Sequence, residues 1–408
     1  MKIVKLGDVV DLFNGSTPLK TNKNYWVNGD IPWFTVDDLR KQGKYITYTE
    51  KFITKLGLKE SSISLIPENA VLLCCTASVG AIAINKIRLT TNQQFNALVV
   101  KNPEQLLVEF LYYWFLANMD TLKSLGRATT IDYISMTKLR DMTLQLPSLQ
   151  KQHEIAEKLD RVFAEIDLLE ESLGLRDERL NNLLLSLLSE AFIATPDENE
   201  LGSTSGDQSV VTKLVSLGEV CTVINGGTPN TKNIEFWNGK HAWITPAEMG
   251  NLKSPFLNSS KRTLTDEGLG NSSAQLLPEH SVILSSRAPI GHLVINEIPM
   301  ATNQGCKGLI PNENLNYKYL FYFLYANKQY LNELGSGTTF AEISGSKLKS
   351  VLIPILSLEK QRDVVKKLDR AFEEIELLKG QIKVEKDHAA ALRQSLLRGA
   401  FSQEEAIA

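Results

Sequence analysis

With 408 residues, 43% of them hydrophobic and 22% charged, the chain has the composition of an ordinary soluble protein and the length for two or three cores. A net charge of −3 argues against a uniformly basic nucleic-acid binder. No apolar run approaches the roughly 20 residues of a membrane span, and Met1 to Asp8 lacks the apolar core of a signal peptide.

The first half opens on Leu6-Gly7-Asp8-Val9 and a polar loop, Asn14-Gly15-Ser16-Thr17-Pro18, that runs on to Lys20, Lys23, Asn24 and Tyr25-Trp26. Strands are predicted at Ala70 to Leu73, Ala81 to Ile84 and Ala97 to Val100, and a buried helix at Leu106 to Asn118. Pro147 and Ser148 mark the start of a long helix. In it Ile155, Leu159, Val162, Ile166, Leu169, Leu173, Arg176, Leu180, Leu183 and Leu187 alternate at four and three residues, a coiled-coil seam. A stretch of Gly, Ser, Asp and Glu, residues 195–212, reads as a linker.

The chain then repeats itself. Leu217-Gly218-Glu219-Val220 and Asn225-Gly226-Gly227-Thr228-Pro229 return 211 residues later, as do Gly291 for Gly80 and Thr302-Asn303-Gln304 for Thr91-Asn92-Gln93. Strands are expected at Ser281 to Leu284, Leu293 to Ile295 and Gly308 to Ile310, and a helix at Tyr317 to Asn327. From Leu334-Gly335 the offset is 209, and 13 of the 22 residues from Ser357 to Leu378 equal those from Ser148 to Leu169. Pro354 and Ser357 precede a second seam: Val364, Leu368, Ala371, Ile375, Leu378, Ile382, Glu385, Ala389, Leu392 and Leu396.

The expected fold class is α+β: two similar globular domains joined by two long helices in an antiparallel coiled coil, with an internal pseudo-twofold repeat. The boundaries are 1–147 and 213–355 for the domains, 148–194 and 356–408 for the helices, and 195–212 for the linker. Antiparallel pairing brings Arg176 toward Glu385, its counterpart at the offset of 209, as a pair that fixes register. The alternative is that each helix packs on its own domain. About 40 residues at 1.5 Å each give each helix roughly 60 Å. The outer faces, with Phe163, Leu168, Phe372 and Leu377, are apolar enough to take a partner or their own domain.

Charge divides along the same lines. Residues 1–147 and 213–355 carry net +4 and +2, whereas 148–194 and 195–212 carry −5 and −4. Domains of this kind suit phosphates while their connectors avoid them. Nothing points to catalysis: there is no GxxxxGK[ST] loop, no GxGxxG after a strand, no HExxH and no [DNS]-P-P-[YF]. The five histidines do not recur between copies, and Cys74, Cys75, Cys221 and Cys306 show neither CxxC spacing nor a nearby histidine. They are expected as buried thiols in a reducing cytoplasm, without a metal.

What recurs is Asn, Gln, Thr, Ser and Lys in turns. Asn and Gln bond adenine edges, Arg bonds guanine, and Ser, Thr and Lys bond phosphates. The DNA-contact candidates in the first copy are therefore Lys20, Lys23, Asn24, Thr76, Ser78, Asn92, Gln93, Arg127, Thr129 and Thr130. In the second they are Lys232, Asn233, Ser286, Arg287, Asn303, Gln304, Ser336, Thr338 and Thr339. Thr76 faces Arg287 across the repeat and Arg127 faces Ser336, so the two domains are expected to prefer different base pairs.

The chain resembles the DNA-specificity (S) subunit of type I restriction–modification systems. The resemblance is carried by Asn225-Gly226-Gly227-Thr228-Pro229 through Trp237-Asn238-Gly239, Trp243-Ile244-Thr245-Pro246 and Ser286-Arg287-Ala288-Pro289-Ile290-Gly291. It continues through Thr302-Asn303-Gln304-Gly305, Gly337-Thr338-Thr339 to Glu342-Ile343-Ser344, and Leu358-Glu359-Lys360-Gln361. The first copy keeps the order with weaker matches; Asn92-Gln93-Gln94-Phe95 replaces Asn-Gln-Gly. The resemblance implies one half of a bipartite, asymmetric double-stranded DNA site per domain, and helices that space the half-sites and dock two methyltransferase (M) subunits. Restriction (R) subunits join the same complex. S-adenosylmethionine and ATP would bind those partners and no cofactor this chain, which would lack catalysis of its own. The alternatives are a coiled-coil adaptor and a DNA adenine methyltransferase-like enzyme.

Overall fold

The computed structural model describes residues 2–76, 80–126, 134–192, 213–252, 254–287, 289–335 and 341–402. Its contacts divide the chain into two units, Met1–Gly174 with Lys383–Ala408, and Leu175–Ile382.

In the first unit an antiparallel ladder of Lys2–Lys5 with Thr143–Leu146 ties the beginning of the globular part to its end. Between them lies a five-stranded sheet in the order Val10–Asn14, Phe95–Val100, Ala70–Cys74, Ile82–Asn85, Tyr45–Ile46. The central strand is Ala-Val-Leu-Leu-Cys and is buried along its whole length. Because strand side chains alternate between faces, Val71 and Leu73 join one core with the helix Val108–Ala117. Leu72 and Cys74 join another with Phe34, Ile46 and Phe95. A smaller sheet, Phe52–Ile53, Ile31–Phe34, Thr90–Thr91, carries the loops described below.

The second unit repeats this topology. Its five strands run Cys221–Asn225, Cys306–Pro311, Val282–Ser285, Leu293–Asn296, Phe256–Leu257, and its three run Arg262–Leu264, Trp237–Ile244, Met300–Thr302. Each mixes parallel and antiparallel pairs, and a helix, Tyr317–Ala326, covers the larger sheet. The expected α+β repeat is the observed fold. Every strand and helix expected from the pattern is present, displaced by no more than a couple of residues at its ends, except that the second long helix is described only to Ser402, the expected remainder, 403–408, lying outside the described residues.

The long helices are Leu149–Phe192 and Leu358–Ser402. They pack antiparallel: in the first unit Leu397 shares a core with Ile155 and Leu159, while Arg393 reaches the later residues Asp167 and Glu170. In the second unit Leu184 and Leu188 share a core with Val365, Leu368 and Ile375. Each helix also docks on its own domain, and one of the recurring bonds joins a domain tyrosine to a helix aspartate. Tyr113 donates to Asp160 Oδ1 at 2.5 Å, and Tyr322 donates to Asp369 Oδ1 at 2.6 Å. Burial and those carboxylates push both phenols well above their usual range.

One expectation needs correcting. Three of the ten seam positions in each helix fall one residue later than the apolar alternation suggests. Ile166 and Leu173 are buried as expected, but Leu169, Arg176 and Leu183 are exposed; the half-buried or buried stripe continues through Glu170, Asp177 and Leu184. Likewise Leu378, Glu385 and Leu392 are exposed, and Lys379, Lys386 and Arg393 take their places. The doublets Leu168-Leu169, Leu183-Leu184 and Leu377-Leu378 make the phase ambiguous, and Lys, Arg and Glu bury their stems while their charged ends reach water. Arg176 and Glu385 thus stand outside the stripe that Glu170 and Lys379 occupy.

Arg393 lies over the Phe163 ring, its Cζ 5.0 Å from the centroid, and its guanidinium bonds Asp167 and, at 3.3 Å, Glu170. Leu184 holds the equivalent place in the second unit, where Lys379 turns to Glu376. We expect Arg393→Met to cost about 1 kcal/mol, because both carboxylates are largely hydrated. Urea unfolding at low and high salt checks this: the loss should shrink at high salt, and a salt-independent loss would assign it to packing on Phe163.

Candidate nucleic-acid interface

The two most recurrent motifs are two sides of one joint. The loop after Val10–Asn14 folds onto the turn Thr91-Asn92-Gln93: the Gly15 amide donates to the Phe95 carbonyl at 3.0 Å and the Ser16 amide to the Thr91 carbonyl at 2.9 Å. The Thr17 hydroxyl donates to Gln93 Oε1. In the second unit the Gly226 amide donates to the Cys306 carbonyl at 3.1 Å and the Gly227 amide to the Thr302 carbonyl at 2.8 Å, and Thr228 donates to Gln304. Glycine is required by the approach itself. A Cβ at Gly15 would lie 2.0 Å from the Asn92 carbonyl oxygen, and one at Gly226 would lie 1.8 Å from that of Asn303.

A pair of tryptophans braces each loop from beneath. Trp26 and Trp33 meet edge to face at 5.0 Å, Trp237 and Trp243 at 5.1 Å. Each indole N–H donates to the loop: Trp33 to the Ser16 carbonyl at 3.1 Å and Trp26 to that of Leu19 at 3.3 Å. Trp243 donates to Gly227 at 2.9 Å and Trp237 to Asn230 at 3.2 Å. Thr54 and Thr265 accept the amides of Gly57 and Gly268 as caps, and donate to the Asn24 and Glu235 carbonyls at the far end of each loop. The loops are therefore held at both ends, with their tips left to solvent.

The candidate residues divide by exposure. Lys20, Lys23, Asn24 and Gln93 of the first unit, and Lys232, Arg287 and Gln304 of the second, are exposed. Thr76, Asn233 and Asn303 are half-buried, and Asn233 Oδ1 and Asn303 Oδ1 accept the amides of Glu235 and Gly305. Asn92 and Ser286 are buried and serve the turn: Asn92 Oδ1 accepts the Gln94 amide at 2.9 Å, and the Ser286 hydroxyl donates to the Gly305 carbonyl at 3.2 Å. Arg287 Nε donates to Glu342 at 2.9 Å, and buried Lys307 meets the same carboxylate at 3.5 Å. Ser78, Arg127, Thr129, Thr130, Ser336, Thr338 and Thr339 lie outside the described residues, as does the linker.

Charge is distributed unevenly around the joint. Lys240 and His241 are both engaged by Asp266, whose carboxyl they hold below its usual range. Among the described residues Lys20, Lys23, Lys51, Lys232, Lys261 and Arg262 form no ion pair. In the first unit Lys20 and Lys51 line a cleft of about 450 Å³ with Trp26, Trp33, Thr35 and Asp37. In the second the Arg262 guanidinium lies 3.6 Å from the Trp237 ring centre. Lys51, Arg262 and the tryptophans were absent from the expected site. Their recurrence at Trp26 and Trp237 and at Trp33 and Trp243 was the signal available.

Among the described residues no His, Cys, Asp and Glu cluster has metal-site geometry, and no helix is long and apolar enough to cross a membrane. Burial pushes the Cys75, Cys221 and Cys306 thiols up to about 12, far from the range of a nucleophile.

Comparison with known proteins agrees with the geometry. The chain is 36% identical over 170 residues to the type I restriction enzyme MjaIX specificity subunit of Methanocaldococcus jannaschii, spanning 41% of this chain and 38% of that one. It is 28% identical over 278 residues to the EcoR124I/EcoR124II specificity subunit of Escherichia coli, 65% of this chain and 63% of that one. A chain from a structure describing complex assembly and conformational transition of the type I R-M system superposes with a TM-score of 0.78 at 20% identity, over 98% of this chain and 97% of the other. The HsdS subunit from Thermoanaerobacter tengcongensis superposes at 0.56 and 21% identity, over 98% and 96%. A family profile described as "Type I restriction modification DNA specificity domain" matches residues 1–174 and again 211–386. With two such domains over most of its length, the chain belongs to the type I restriction modification DNA specificity family.

Proposed function

We propose that this chain reads a split, asymmetric site in double-stranded DNA, one half per domain, and scaffolds a type I restriction–modification complex without catalysing a reaction itself. One observation carries the reading: the same braced loop occurs twice, with unpaired cations beside it each time and different side chains at matching positions. Lysines on such loops suit phosphates, while Asn24, Gln93 and Gln304 suit base edges. The long helices would set the interval between half-sites. Phe163 and Phe372 pack on Tyr113 and Tyr322 of their own domains, whereas Leu168 and Leu377 are 66% and 64% exposed. Those leucines offer each of two methyltransferase subunits an apolar seat. Restriction subunits would join through the same complex; S-adenosylmethionine and ATP would bind the partners.

The test is to co-express the chain with the adenine methyltransferase encoded nearest to it and map methylated adenines by single-molecule sequencing. One split motif methylated on both strands is the expected result. Replacing residues 213–355 with the equivalent domain of a relative should then change one half of the motif only. A soluble complex that leaves no new methylation would favour an adaptor.

A further inference from the structure

We propose that the cation beside each tryptophan pair, Lys51 in the first domain and Arg262 in the second, reads a base edge in its half-site, with Arg262 taking a guanine through O6 and N7. This rests on the DNA-reading function proposed above and assigns that function to particular side chains. The two residues are the same position in the repeat. Thr54 and Thr265 cap equivalent short helices, and three residues before each stand Lys51 and Arg262. Strand register agrees: the Trp33 amide donates to the Lys51 carbonyl at 2.9 Å, and Trp243 is the cross-strand partner of Arg262.

The Arg262 cation is placed on the tryptophan pair and has no ion-pair partner among the described residues. Arg262 Cζ lies 3.6 Å from the centre of Trp237 and 5.2 Å from that of Trp243, and those indoles are tied to the Asn230 and Gly227 carbonyls of the loop. A cation seated over a ring face at this distance keeps all of its N–H donors free for another partner. Arg262 has no carboxylate partner among the described residues, unlike Arg287, whose Nε is taken by Glu342. A planar fork held over the tryptophan pair and unpaired beside a basic loop matches the two acceptors that guanine presents in the major groove. Lys51, a point charge in the open cleft, offers less directional chemistry, so the two halves differ where they are otherwise alike.

The experiment maps methylation by the complex carrying Arg262→Met, Arg262→Lys or Lys51→Met on a randomised DNA library. Arg262→Met is expected to relax one base pair, a guanine in the parent motif, of the half-site assigned by exchanging residues 213–355. Discrimination there should fall on the order of tenfold or more, with the other half unchanged. Arg262→Lys should retain part of the preference, and it carries the test if the methionine variant fails to fold. Lys51→Met should relax one position in the other half. An unchanged motif with uniformly slower methylation would overturn the assignment and make these residues phosphate contacts or braces for the tryptophans. A parent complex that shows no motif would instead overturn the DNA-reading function, and this assignment with it.

Discussion

Gly226→Val should destabilise the second domain by about 3 kcal/mol and erase its half of the recognised site. The argument is steric. The valine Cβ would sit 1.8 Å from the Asn303 carbonyl oxygen and 2.4 Å from Thr302 Oγ1, both on the turn that the loop must touch. No rotamer relieves a clash with backbone, so the loop must lift. Lifting it breaks the hydrogen bonds donated by the Gly226 and Gly227 amides and the Thr228–Gln304 hydrogen bond together. Differential scanning calorimetry and methylome mapping give the two readouts. Gly270→Ala is the control, since a Cβ there meets nothing within 4 Å. If Gly226→Val melts like the control, the joint is not what holds the loop.

The repeat was the most legible property of the chain because it needs no knowledge of conformation: equal residues in the same order, at an offset that moves only from 211 to 209, mean equal folds. Strands such as Ala70–Cys74 were legible because five successive apolar side chains suit only a strand buried on both faces. The phase of the long helices was not. Apolarity alone prefers Leu169 and Leu183, whereas burial falls on Glu170 and Leu184. A helix that must cover its own domain as well as a partner helix carries two apolar stripes, and the alternation cannot say which side chain serves which.

The site was legible as loops but not as atoms. Asn92, Asn303 and Ser286 recur in polar turns and look like contact residues, and each also bonds the turn through its side chain: Asn92 and Asn303 accept the Gln94 and Gly305 amides and Ser286 donates to the Gly305 carbonyl. Asn and Ser mimic backbone in this way, so polarity in a turn does not by itself separate a structural side chain from a contact residue. Lys51 and Arg262 were missed for the converse reason. Lys51 directly precedes the strand Phe52–Ile53 and Arg262 opens the strand Arg262–Leu264, and only the strand register brings each to the tryptophan pair and the loop.

Gln361→Ala should be the second severe lesion, again about 3 kcal/mol, although glutamine at a helix start looks unremarkable in sequence. Its side chain is fully buried. Oε1 accepts the Asn316 amide at 2.8 Å, and Nε2 donates to the Asn314 and Leu356 carbonyls, each at 2.9 Å. Asn316 in turn caps the helix Tyr317–Ala326 through the amides of Lys318 and Tyr319. One side chain thus joins the start of the long helix to the start of the domain's core helix. Gln152 does the same in the first unit, bonding the Leu107 amide and the Gln105 and Pro147 carbonyls. Alanine would leave an amide and two carbonyls unpaired in a space closed to water, and each carries a desolvation penalty. Gln361→Glu preserves the acceptor but removes both donors and buries a charge, so it should rescue little at neutral pH and more as the pH falls and the carboxyl gains a proton. Urea unfolding and hydrogen exchange at the Asn316 amide provide the measure. A loss below about 1 kcal/mol, within the range of a surface substitution, would mean that the long helix is held to its domain by Tyr322 and Asp369 without this clasp.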